Sequence, residues 1–252
     1  MRDQQLLRPP PLDRESALFI DFDGTLVAIA PRPELVRVPA DLPALLDRVA
    51  GERSGAVALV TGRRVADVGR LMHPWQGAIA GLHGAERRRS DGSEPPPEPA
   101  DRGAVEALAH IRPRMRAFAD RSPGTLLEDK GRTLALHYRG APERAAEIRA
   151  LADALLSEYG EHLRLIDGKM LVELQPRLDG KHRAIDAFME EPPFRGRRPI
   201  FLGDDTTDED GFAEVNRRNG VSIRVGAPDA PTAARHHLPS VEAVWAWLSA
   251  ER

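Results

Sequence analysis

The sequence predicts an α/β fold: a Rossmann-like, doubly wound parallel sheet that carries an inserted α+β domain. Three observations predict it. Apolar runs of strand length recur at residues 17–20, 56–60 and 199–203, and a run apolar on both faces marks a strand buried inside a parallel sheet. Helical patterns alternate with these runs, as βαβ units require. Each run also stops at a polar cluster, and doubly wound sheets take their ligands beyond the carboxyl ends of the strands.

The 252 residues suffice for one large domain or two modest ones. Residues 1–11 hold Arg2, Asp3 and a proline run at 9–11 with no apolar signal segment, which predicts a short disordered lead. The strand at 17–20 ends in Asp21-Phe22-Asp23-Gly24-Thr25-Leu26. The strand at 56–60 ends in Thr61-Gly62-Arg63 and feeds a helix over 65–72. Residues 87–102 are rich in charge and proline, with a turn at Asp91-Gly92 and then a linker. The next segment reads as helix 104–120, bent or broken near Pro113, strands 125–129 and 133–138, and helix 142–159. Strands 163–166 and 170–174 close it around Asp167-Gly168, a hairpin turn signal. Helix, hairpin, helix, hairpin is an α+β unit, placing an inserted domain at 103–176 within a core of 1–102 and 177–252. The core resumes with a helix over 182–189, the strand at 199–203, a shorter strand at 221–225 and a closing helix over 241–248.

Composition narrows the function. No cysteine is present, which removes disulfides, thiolate metal sites and cysteine catalysis. A net charge of −3 and 5% aromatic residues give neither the electrostatic footprint nor the stacking platforms of a nucleic-acid binder. No apolar run is long enough to span a membrane, so a cytoplasmic protein is expected; a monomer is expected as well. Among 36 Lys and Arg residues only Lys130, Lys169 and Lys181 are lysines. A chain that writes nearly every positive charge as Arg makes each lysine a candidate for a specific task.

Asp21 and Asp23 stand one residue apart where a buried strand ends, with Gly24 letting the backbone turn closely. Two such carboxylates repel each other, which favours a cation between them or a raised pKa on one. An ionised aspartate is a nucleophile toward phosphorus, and a partly protonated one serves as acid and then base. Thr61 offers a hydroxyl, and Gly62 opens a helix whose amino end attracts anions. The run from Asp204 and Asp205 to Asp208, Glu209 and Asp210 is too dense for helix capping alone and calls for a cation or phosphate chemistry. Its spacing excludes an EF-hand: with Gly211 at the sixth loop position, Arg217 stands where the bidentate Glu belongs. Gly180-Lys181-His182 likewise lacks the Ser or Thr and the upstream glycine of a P-loop.

The ordered set Asp21-Phe22-Asp23-Gly24-Thr25, Thr61-Gly62-Arg63, Lys181 and Gly203-Asp204-Asp205 with Asp208 resembles the four motifs of the haloacid dehalogenase phosphatases. Within that superfamily, the segments 81–86, 128–131, 136–139, 168–173 and 207–210 make the chain similar to trehalose-6-phosphate phosphatases from about residue 16 to 248. The resemblance implies that Asp21 attacks phosphorus to form an aspartyl phosphate, while Asp23 protonates the leaving sugar oxygen and then deprotonates water. It implies Mg2+ held by Asp21, the Asp23 carbonyl and Asp204, with the phosphoryl group held by Thr61, Gly62 and Lys181. Asp208 would orient Lys181 or a metal-bound water, with Asp205 in a supporting place. The inserted domain becomes a cap for the sugar phosphate substrate, with Glu128, Lys130, His137 or Arg139, Lys169 and Glu173 on the disaccharide hydroxyls. His83 and Glu86 would lie nearer the crevice. One residue departs from the family pattern: His182 follows the motif lysine where glycine is usual. Two other readings remain open, a phosphatase or mutase for a different sugar phosphate such as sucrose 6-phosphate, and a non-catalytic phospho-sugar sensor.

Overall fold

A computed structural model describes residues 6–96, 101–168, 170–227 and 231–250, apart from the Pro33 side chain. In chain order the elements are β1 (Ser16–Ile20), α1 (Leu42–Gly51), β2 (Val57–Val60), α2 (Val65–Leu71), β3 (Ala78–Gly81) and β4 (Glu86–Arg88). Then come α3 (Arg102–Arg121), β5 (Leu126–Asp129), β6 (Leu134–His137), α4 (Ala145–Tyr159), β7 (Leu163–Gly168) and β8 (Leu171–Pro176). The chain closes with α5 (Lys181–Met189), β9 (Arg198–Gly203), α6 (Glu209–Arg217), β10 (Val221–Val225), β11 (His236–Leu238) and α7 (Val241–Ser249). By contact the chain divides into two compact units, Met1–Pro96 with Lys181–Arg252, and Pro97–Gly180.

In the first unit, the described residues form a seven-stranded sheet ordered β11-β10-β9-β1-β2-β3-β4. All neighbours are parallel except β3 and β4. Alternate residues of each strand feed opposite faces. Leu18, Ile20, Leu59, Ile79 and Leu202 pack with Leu46 of α1, Val68 of α2 and Val244 of α7. Ala17, Phe19, Ala58, Ala80 and Phe201 pack with Ile185 and Phe188 of α5 and Phe212 of α6. Helices thus cover both faces, which is why the central strands β1, β2, β3 and β9 are largely apolar on both sides. On the second face small alanines leave room for Phe19, Phe188 and Phe194, whose ring centroids lie 5.0–6.2 Å apart. Each ring so buried stabilises the fold by about 1.5–3 kcal/mol.

The second unit is an antiparallel sheet ordered β5-β6-β8-β7 with α3 and α4 packed on one face. Its core is Ala104, Leu108, Ile111 and Met115 of α3, Ile148 and Leu155 of α4, and Leu134, Leu136, Val172 and Leu174 of the sheet. The Asp101 carboxylate caps α3 by accepting from Ala104 N–H at 3.0 Å.

Four expectations change. The helix expected to bend or break at Pro113 runs unbroken as α3. Pro113 and Ala109 are both exposed, so the carbonyl that the proline cannot serve faces water. The second hairpin closes at the Gly168↔Leu171 pair, so its turn falls two residues beyond the expected Asp167-Gly168, and Met170 leaves the strand with φ +65°. The lead is anchored where it is described: Leu7 exchanges backbone hydrogen bonds with Arg235 and His237, and Trp247 Nε1 donates to Pro10 O at 2.9 Å. Finally α1, β3, β4 and β11 are elements beyond those that the sequence predicts.

Candidate active site

The carboxyl edge of the first unit's sheet collects the site. Register brings Ile20 of β1 level with Leu202 of β9 and Leu59 of β2. Asp21, Asp204 and Thr61 therefore leave three adjacent strands at similar heights. Asp21 N–H donates to Leu202 O, and Thr61 N–H to Ala80 O, both at 2.9 Å. Gly24 has φ +86°, and a Cβ there would stand 2.1 Å from an Asp204 carboxylate oxygen. No other residue fits both requirements.

Lys181, at the first turn of α5 and only 2% exposed, joins these groups. Its Nζ donates to Asp21 Oδ1 and to Asp208 Oδ1, both at 2.5 Å. The other oxygen of Asp208 accepts the backbone N–H groups of Asp204 and Asp205 at 2.9 Å. Burial pushes the Asp21 carboxyl well above the ordinary range; Asp208 and Asp204 push the same way and Lys181 opposes them. Burial disfavours the Lys181 charge, but Asp208 and Asp21 overcome that and hold the ammonium above its usual value.

One ammonium thus faces three buried carboxylates, Asp21, Asp204 and Asp208, whose ligand oxygens lie within 4.8 Å of one another. The surplus negative charge and the all-oxygen donor set fit a hard divalent cation such as Mg2+. Asp208 has both oxygens committed, so Asp21 and Asp204 are the carboxylates fitted to hold it.

The rest of the edge is braced. Arg63 Nε and Nη2 donate to Asp23 Oδ2 and Oδ1 at 2.6 and 2.8 Å. Leu82, His83 and Gly84 form a left-handed turn with φ values of 48°, 56° and 104°. His83 N–H donates to Thr61 O and Leu82 N–H to Arg63 O, fixing that turn to the Thr61-Gly62-Arg63 segment. The buried His83 ring lies so close that a Cβ on Gly62 would stand 2.8 Å from its Nε2. Glu86 also serves this segment, its carboxylate accepting Val65 N–H at 3.1 Å. Trp245 Nε1 of α7 donates to Leu26 O at 2.9 Å, steadying the loop after the aspartates.

The acidic run divides its labour. Asp204 and Asp208 join the buried cluster. Asp205 caps the short helix that follows, accepting Thr206 N–H at 2.7 Å. Glu209 accepts Ala233 N–H, and Asp210 pairs with His182 Nδ1 at 3.1 Å, so the departing residue after the lysine ties α5 to α6.

In the second unit, register sets Glu128, Ala135 and Glu173 abreast on the sheet face opposite the helices. His137 Nε2 lies 2.9 Å from Glu128 Oε2, and Lys130 Nζ donates to Glu173 at 3.3 and 3.4 Å. Burial raises the Glu128 pKa, but the hydrogen bond from His137 and the charge of Lys130 outweigh it and hold the carboxyl below its usual value. Arg139 is exposed in the turn after β6. Lys169 lies outside the described residues. Sequence reasoning gives Arg63 no site role, although its place directly after Thr61-Gly62 is visible; Gly81 and Gly84 mark a turn, but nothing local shows that Leu82 and His83 are left-handed too.

A doubly wound sheet with paired aspartates, a hydroxyl, a buried lysine and a second acidic loop along its carboxyl edge defines a phosphatase of the haloacid dehalogenase type. A family model described as trehalose-phosphatase matches residues 19–242, and the chain belongs to that family. It is 43% identical over 229 residues to a probable trehalose-phosphate phosphatase of Sinorhizobium fredii, covering 90% of this chain and 84% of that one. It is 40% identical over 245 residues to the trehalose-6-phosphate phosphatase of Escherichia coli, covering 97% and 90%. The fold is similar to that of the Candida albicans trehalose-6-phosphate phosphatase C-terminal domain, with a TM-score of 0.77, 20% identity and 97% of each chain covered. Among the described residues, no helix is long and apolar enough to cross a membrane.

Proposed function

We propose that this chain hydrolyses trehalose 6-phosphate to trehalose and inorganic phosphate through an aspartyl phosphate. The observation that carries the reading is the buried ammonium of Lys181, 2.5 Å from both Asp21 and Asp208. An Asp21 oxygen attacks phosphorus, the bond to the sugar oxygen breaks, and Asp23 delivers a proton to that oxygen. Water then attacks the phosphoaspartate phosphorus, Asp23 takes its proton, and phosphate leaves with Asp21 restored. Thr61 Oγ1, the Gly62 N–H and Lys181 hold the phosphoryl oxygens as their charge grows. Asp208 positions Lys181, and Asp205 supports the loop by capping it. Asp21, the Asp23 carbonyl and Asp204 would hold Mg2+, which when bound supplies charge that neutralises the phosphoryl oxygens.

The polar face of the inserted unit is assigned to the sugar. Glu128, Lys130, His137, Glu173 and, beyond these, Arg139 and Lys169 supply charge-assisted hydrogen bonds suited to a polyol, and His83 is also assigned to the substrate. Glu173→Gln keeps the volume but removes the charge that pairs with Lys130. Its KM for trehalose 6-phosphate should rise about tenfold with kcat changed less, and its rate on p-nitrophenyl phosphate should hold.

Phosphate release from a panel of sugar phosphates, with and without a chelator, tests the function. Trehalose 6-phosphate should lead glucose 6-phosphate and sucrose 6-phosphate by at least about tenfold. Chelation should stop turnover and added Mg2+ restore it. Equal rates across the panel would refute the sugar assignment, and tight binding without turnover would leave a sensor.

A further inference from the structure

We infer that Arg63 is the positioning residue for Asp23, an inference that rests on the acid–base role proposed above for that aspartate. The two N–H groups of the guanidinium meet the two carboxylate oxygens at 2.6 and 2.8 Å, planar fork on planar acceptor. That geometry fixes the rotation of the carboxylate as well as its place, which a single ammonium could not do.

The root of the arm is fixed too. Arg63 N–H donates to Thr61 Oγ1 at 3.2 Å, and Arg63 O accepts Leu82 N–H at 2.9 Å. Gly81 packs so tightly that a Cβ would stand 2.7 Å from that carbonyl oxygen. The Phe22 ring centroid lies 5.8 Å from the guanidinium carbon. Arg63 is 15% and Asp23 33% exposed, so the pair is part-buried and its bidentate geometry holds it. One braced segment therefore carries the phosphate-binding Thr61 and Gly62 and holds the carboxylate that must meet the leaving oxygen. Both oxygens of Asp23 are engaged, so delivery of a proton needs one arm of the fork to open while the other keeps the carboxylate on station.

A sugar leaving group needs that proton and p-nitrophenolate does not, so kcat/KM on the two esters separates positioning from general damage. Arg63→Gln should lower kcat/KM for trehalose 6-phosphate by about 10–100-fold and that for p-nitrophenyl phosphate by less than about threefold. Arg63→Lys should recover part of the loss. The double variant Arg63→Gln/Asp23→Asn should be no worse on the sugar than Asp23→Asn alone, because both act on one group. Equal losses on both esters in a protein of unchanged melting temperature, or additive losses in the double variant, would overturn the inference. Should Arg63→Gln not fold, equal losses on both esters in Arg63→Lys would overturn it as well. An Asp23→Asn protein that treats the two esters alike would instead remove the acid–base reading on which the inference stands.

Discussion

Asp21→Asn should abolish phosphate release, by at least about ten-thousand-fold, and should raise the melting temperature of the metal-free protein. The loss follows from the removal of the nucleophile. The gain follows from charge. Asp21 is 6% exposed and shares its site with Asp204 and Asp208 against one ammonium, and its burial holds its carboxyl above the ordinary range. A carboxyl whose folded-state pKa is raised binds protons more readily in the folded chain. Its contribution to stability is fully present below the unfolded pKa and is lost as pH rises through the raised one. Near neutral pH the neutral amide should therefore raise the melting temperature, each kcal/mol gained being worth roughly 2–4 °C for a chain of this size. The difference between the two proteins should shrink as pH is lowered. Thermal unfolding in chelator across pH 5–8 measures it, and a wild type that melts above Asp21→Asn throughout that range would count against the electrostatic account.

Lys181→Met should do the opposite to stability and the same to turnover. The substitution keeps an unbranched apolar side chain but leaves Asp21 and Asp208 facing each other with no ammonium between them. Breaking a buried pair costs about 3–5 kcal/mol, because the partner charge is left uncompensated. Denaturant titration should show that loss, and phosphate release should fall at least about a thousandfold. In the double variant with Asp21→Asn, part of the stability should return, since one carboxylate is then neutral. Lys181→Arg should also lower turnover, because a planar fork cannot replace a compact ammonium between two oxygens 2.5 Å away on either side. A Lys181→Met protein as stable as wild type would mean that the acidic cluster is discharged by some other means.

Much of this was legible in the sequence because burial on both faces leaves a continuous apolar run. Residues 17–20, 57–60 and 199–203 announce their strands and the polar residues after them mark the functional edge, whereas Val221–Val225 carries Ser222 and Arg224 and is the weaker signal. The missed strands lack that signal for physical reasons. β3 is Ala-Ile-Ala-Gly, buried but small, because bulk on one of its faces comes from neighbouring side chains instead. β4 is Glu-Arg-Arg and β11 is His-His-Leu, edge strands whose half-exposed faces need no apolar residues. The helix α1 was readable from Leu42, Leu46 and Val49 at helical spacing. In the site, the acidic run showed its density but not its division into cluster, cap and brace, since that depends on residues such as Arg224, Ala233 and His182 far along the chain. The Arg63–Asp23 fork spans strands β2 and β1, and no local pattern records such a pairing.

The placement of β1 between β2 and β9 has a consequence in time. The strand that ends in Asp21 precedes the inserted unit, while its partner ending in Asp204 emerges only after that whole unit has been translated. Non-local parallel pairing of this kind carries a large loop-closure cost before contacts repay it, and it folds slowly. Until then β1 offers an unpaired apolar edge, a template for aggregation. The first and last acidic loops meet only when the sheet closes, so recovery of activity on refolding requires that the two halves of the core have found each other.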